Sequence, residues 1–223
     1  MNAAGSGDSA ARFALAKLCE TYWYPLYAYV RRRGATPDDA RDLTQGLFTS
    51  LIERRDFDSL RKERGRFRAF LLASLQHYLA NDFAHRTALK RGGGMLPLSL
   101  EFDGAEGRYQ FEPADKETPQ TLFERRWALT VIETALAQVR KEWEAAAKTA
   151  EFDALKSCLL GTPTGGYAAV AKDISSTEGA VRVAVHRLRR KFQKRLREEI
   201  AETVADPSEV DDEIRYLLRA LDP

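Results

Sequence analysis

The residue types that could do chemistry are thinly spread along this chain. GTPTGG at 161–166 has the glycine density of a phosphate loop, yet it lacks the following Lys and Ser/Thr that would engage phosphate and magnesium. It reads as a loop between helices. His77 and His85 stand about two helical turns apart, beyond the i, i+4 spacing that lets two imidazoles share a metal. Cys19 and Cys158 have neither a CxxC partner nor a histidine cluster beside them, which points to core filling and away from zinc or a disulfide framework. No G-x-S-x-G or H-E-x-x-H string occurs. No catalytic residue, metal ligand or cofactor is therefore assigned, and the expectation is a non-enzymatic protein.

What remains is patterned charge. The segment GYAAVAKDISSTEGAVRVAVHRLRRKF at 166–192 has the spacing of a helix-turn-helix. Tyr167 to Lys172 makes a short helix, 173–176 a tight turn, and Thr177 with Glu178 caps a longer helix. At about 100° per residue, Val181, Val185, Leu188, Phe192 and Leu196 fall on one stripe. Arg187, Arg190, Lys194 and Arg197 occupy the opposite face, with Arg182 and His186 along one edge. Val183 sits amid that polar face, where a thymine methyl would suit it. Ala180, Arg182, Val183, His186 and Arg187, near the helix N-terminus, are expected to approach base edges. Arg189, Arg190, Lys191 and Lys194 are expected to hold phosphates.

The elements that must position these residues are helical. In 223 residues, 44% hydrophobic and 30% charged, apolar positions recur at three and four and strand alternation is nearly absent. Disordered and fibrous classes are excluded, and the fold class is all-α. Apolar stretches such as 22–30 fall short of the roughly 20 residues that cross a bilayer. With no cleavable leader read at the start, a cytoplasmic protein without membrane insertion is expected. Helices are predicted over 9–33, stopped by Gly34; over 37–54, capped by Thr36 with Pro37 in the first turn; and over 67–91, after a basic loop at 55–66. Further helices are predicted over 119–148, 150–160, 166–173 and 177–204. Net charge runs +6 over 1–91, −4 over 92–120, +5 over 121–200 and −5 over 201–223. Two basic blocks, an acidic connector and an acidic tail suit a chain that touches a polyanion at two places. In the tail Val210, Ile214, Leu217, Leu218 and Leu221 share a stripe, expected to pack on the second domain, and its charge suggests cover over the basic helix.

These segments together resemble one family. Over 10–91 and 120–200 the chain is similar to bacterial RNA polymerase sigma factors of the extracytoplasmic-function group, whose two domains are called region two and region four. DDARDLTQGLF at 38–48 resembles the family's polymerase-docking helix, with Asp39, Asp42, Gln45 and Phe48 matching and Gly46 in place of a usual carboxylate. RFRAFLLASLQHYLANDFAHR at 66–86 resembles the helix that meets the minus-ten element, with His77 where Asn is typical. Independently of the family, its wheel places Gln76, His77, Ala80, Asn81 and Ala84 on one polar strip that another chain could approach closely. Arg66 and Arg68, with Arg61, Lys62 and Arg64, could track phosphates there. GAVRVAVHRLRRKF resembles the minus-thirty-five reader, with Val183 and Ala184 where polar residues are common.

The resemblance implies two small helical domains: a region-two domain at 1–91 and a region-four helix-turn-helix domain at 119–205. A flexible acidic linker at 92–118 joins them, and an acidic C-terminal amphipathic helix follows at 206–223. It implies an initiation factor that binds core RNA polymerase and promoter DNA and helps melt the duplex, with an anti-sigma partner left open. The alternative is a stand-alone helix-turn-helix regulator that needs no polymerase docking.

Overall fold

The computed structural model describes residues 21–54, 66–88, 104–112, 117–159, 161, 163 and 165–222. Every regular element among them is a helix, as the periodicity predicts. None is long and apolar enough to cross a membrane. The chain divides into two compact units, one of residues 1–130 and 203–223 and one of residues 131–202.

The first unit is built on α1, described over residues 21–32. Tyr22, Trp23, Tyr24, Leu26, Tyr27, Ala28, Tyr29 and Val30 are all buried, so this helix is apolar around its whole circumference and is enclosed by its neighbours. It ends at Gly34, whose φ of +92° is the left-handed conformation glycine adopts freely. The Gly34 and Ala35 amides then donate to the carbonyls of Arg31 and Val30. Helix α2, Pro37–Arg54, begins where the cap signal places it: the Asp39 amide donates to Thr36 Oγ1 at 3.2 Å. Helix α3, Phe67–Ala88, buries Phe67, Leu71, Leu72 and Leu75.

The span 92–118 carries little helical pattern, yet it contains a short helix α4, Ala105–Gln110, which belongs to the first unit. Polar contacts hold it there. Glu106 accepts two bonds of 2.9 Å from Arg31 and one of 2.6 Å from the Tyr27 hydroxyl. Just beyond α4, the buried Glu112 accepts from the Tyr24 hydroxyl at 2.8 Å and from Arg125 and Arg126. A charge-assisted bidentate contact is strong and directional, and it needs no apolar periodicity to announce it.

Helix α5, Pro119–Ala145, belongs to the first unit up to Thr130 and to the second from Val131. Its early turns bury Leu122, Phe123 and Trp127, whose indole N–H donates to Tyr22 Oη at 3.0 Å. The second unit continues with α6, Thr149–Leu155, a 3-10 turn Lys156–Cys158, α7, Gly166–Asp173, and α8, Glu178–Ala201. Its core joins Val139 and Trp143 of α5, Phe152, Leu155 and Cys158, Val170 and Ala171 of α7, and Val181, Val185 and Leu188 of α8.

A 3-10 turn, Pro207–Glu209, leads into the last helix α9, Val210–Leu221. The expectation that this tail packs on the second domain is corrected: residues 203–223 belong to the first unit, where the Phe67 amide donates to the Thr203 carbonyl. The reason lies on the apolar stripe itself. Glu213 shares that face with Val210 and Leu217, is 1% exposed, and takes its counter-charges from Arg66 and Arg68 of the first unit.

Candidate nucleic-acid interface

In the second unit the geometry starts from the end of α7. The Ser176 amide donates to the Ala171 carbonyl and the Ser175 amide to that of Lys172, with Ser175 at φ +52°. This double bond with a left-handed residue between is a Schellman ending, and it turns the chain sharply into α8. Thr177 then caps α8 by accepting from the Ala180 amide at 3.2 Å. Val181, Val185, Leu188 and Leu196 are buried and Phe192 is partly buried, matching the stripe read from the sequence.

The basic residues of α8 sort into two groups. Arg189 donates two bonds to the Cys158 carbonyl, at 3.2 and 2.6 Å, and one to that of Gly161 at 3.1 Å. Lys191 and Arg195 converge on Glu142 of α5, and Arg195 also pairs with Glu198. Both cations hold the Glu142 carboxyl below the usual carboxylate range. These three fasten the helix to its own unit. The expectation that Arg189 holds phosphate is corrected, its guanidinium being taken up by loop carbonyls, whereas Lys191 pairs with Glu142 at the surface with its side chain 51% exposed.

The other group faces outward. Ala180, Arg182, Val183, His186, Arg187, Arg190 and Lys194 are all exposed. Val183 is 52% exposed, an apolar side chain left in solvent in the middle of a basic face. Arg182 pairs with Glu178 one turn earlier at 2.6 Å and lies over the Tyr167 ring of α7 at 5.8 Å. Lys194 meets Glu198 at 3.8 Å. Exposed pairs one turn apart on a helix contribute only about 0.3–0.5 kcal/mol, so both cations can exchange their partner for a nucleic-acid acceptor.

The first unit gives a different outcome. On α3 the strip residues Gln76, His77 and Asn81 are exposed, with the Gln76 amide donating to Tyr29 Oη at 3.2 Å. Arg68, expected to track phosphate, is instead buried: it donates to both Glu213 carboxylate oxygens, at 2.6 and 3.3 Å, with the Tyr216 ring 3.5 Å from its guanidinium. Arg66 pairs with Glu213 at 2.9 Å yet keeps 34% of its side chain exposed. Arg61, Lys62, Arg64 and the side chain of Ala84 lie outside the described residues.

On α2 the docking string divides as well. Asp42 is exposed, Gln45 is half-buried, and Asp39 accepts from the Thr36 hydroxyl as part of the cap. Phe48 is 1% exposed, which corrects its expected role as a docking contact: with Leu43, Leu47 and Leu51 it forms the buried face of α2. Gly46 has a physical reason for departing from the carboxylate pattern. A Cβ at this position would collide with the Tyr78 hydroxyl of α3.

Glu213 and Tyr216 are the residues that sequence reasoning missed here. An acid three residues after Val210 and four before Leu217, on an apolar stripe, was the available signal of a buried partner. No family model, curated protein or solved structure matches this chain.

Proposed function

We propose that the protein is a cytoplasmic transcription initiation factor of the extracytoplasmic-function sigma type. In this reading it docks on core RNA polymerase, reads upstream promoter DNA with α8, and helps open the start-proximal duplex with α3. The observation that carries it is the outward face of α8: a capped helix after a Schellman turn, presenting Arg182, Val183, His186 and Arg187 toward solvent while other cations fasten its back. A recognition helix needs that division, because base contacts specify only when the helix itself is held rigidly. The docking contribution of α2 rests on Asp42, Gln45 and the cap residue Asp39.

A second reading, a stand-alone helix-turn-helix regulator, draws support from the enclosure of Phe48, which the sigma resemblance matches to the docking string, and of Arg68, expected to track phosphate. One experiment separates them. The purified protein is mixed with core polymerase and a promoter library, and initiation is mapped. A sigma factor forms a stable complex that starts transcription at discrete sites and loses it on Asp42→Ala. A regulator binds its duplex tightly alone and leaves core polymerase non-selective.

A further inference from the structure

The enclosure of Arg66 and Arg68 is unusual for a surface meant to meet nucleic acid, and the group that encloses them is an anion. Glu213 places two carboxylate oxygens against the two guanidinium groups, in the bidentate manner by which arginine also receives a phosphodiester. Tyr216, on the next turn of α9, lays its ring over Arg68. The same ring lines one shallow groove with Arg68, Leu72 and Gln76 of α3 and Phe123 and Glu124 of α5, so the tail meets the polar strip of α3 at its Gln76 end. We propose that α9 is a built-in plug: Glu213 stands in the place of a backbone phosphate of single-stranded DNA, and strand engagement along α3 displaces the tail.

This inference rests on the proposed strand-binding role of α3. Its energetics favour exchange. A buried arginine left alone is costly, but swapping one anionic acceptor for another keeps it paired throughout. Arg66, partly open to solvent, is the cation an incoming phosphate reaches first. The tail is otherwise held by two buried aliphatic side chains, Val210 and Leu217, and by the Tyr216 ring near Trp127, while Leu218 remains 55% exposed. An element with so small an apolar anchor belongs to the part of a structure that opens locally at low cost.

The test uses the full-length protein and a single-stranded oligonucleotide of mixed sequence, read by amide hydrogen exchange. At saturating oligonucleotide, amides of 67–81 should become protected while those of 210–221 exchange faster. Protection of 67–81 with 210–221 unchanged or slower overturns the plug and leaves the strand-binding role standing. No protection of 67–81 at any concentration overturns both. As a second arm, Glu213→Gln should raise oligonucleotide affinity at least about tenfold, and adding Arg66→Ala should reverse the gain. A folded Glu213→Gln protein of unchanged affinity also overturns the plug. If that variant does not fold, the exchange result on the unsubstituted protein decides.

Discussion

The two units treat arginine in opposite ways. In the second, three cations of α8 turn back to hold the helix in place, and its outward face stays open. In the first, carboxylates from the acidic connector and the acidic tail take up Arg31, Arg66, Arg68, Arg125 and Arg126. Residues 1–91 and 121–200 carry similar net charge by sequence, +6 and +5. These blocks do not coincide with the units, which sum to −1 for the first and +3 for the second, so the block count alone does not say which cations can meet a partner. Availability depends on whether an acid elsewhere in the chain is positioned to reach them.

The sharpest way to break this contrast is Arg68→Ala. Removing it leaves Glu213 paired with Arg66 alone, and losing a hydrogen bond to a charged group costs about 1.5–3 kcal/mol, beyond which release of the tail would solvate the carboxylate. Urea unfolding should register that loss; a change below about 0.5 kcal/mol, typical of surface sites, would place Arg68 among the open cations. On α8 the expectation reverses. Arg182→Ala or Arg187→Ala should leave unfolding nearly unchanged but cost about 1–3 kcal/mol of duplex affinity per lost base contact. Fluorescence anisotropy on cognate and scrambled duplexes measures it, and equal losses on both would demote these residues to phosphate contacts.

Arg190→Ala and Lys194→Ala are expected to weaken every sequence alike and to lower the salt slope by about one unit each. The smallest effect concerns the fastening of α8. Because Lys191 and Arg195 depress the Glu142 carboxyl, the folded chain binds that proton less tightly than the unfolded chain does. The stabilisation is present above the ordinary carboxylate value of about 4.3 and is lost as pH falls through the lower folded value. Glu142→Gln should therefore melt below the unsubstituted protein at neutral pH, with the gap closing under acid conditions; a gap constant down to about pH 3 would assign its cause to packing.

Local devices were the legible part of this molecule. Thr36 with Pro37, Gly34, and Thr177 each act within a few residues, and each stands where the sequence places it. The helix predicted to reach residue 148 ends at Ala145, because its left-handed exit residue is Ala147 at φ +56° and carries no glycine signal. Phe48 matched the letters of a docking string, while the spacing of Leu43, Leu47 and Leu51 already put it on the apolar face. The pairing of Arg68 with Glu213 spans 145 residues, and only the misplaced acid on the tail's stripe hinted at it. Long-range ion pairs leave no periodic trace, which is why the candidate site in the first unit was read less accurately than that in the second.

Ser175 carries a further consequence. A side chain held in the left-handed region costs roughly 1–2 kcal/mol that glycine would not incur, so a glycine at this position would favour the same bend more strongly. The corner thus sets the direction in which α8 leaves its root, and a glycine there would keep that direction at lower conformational cost.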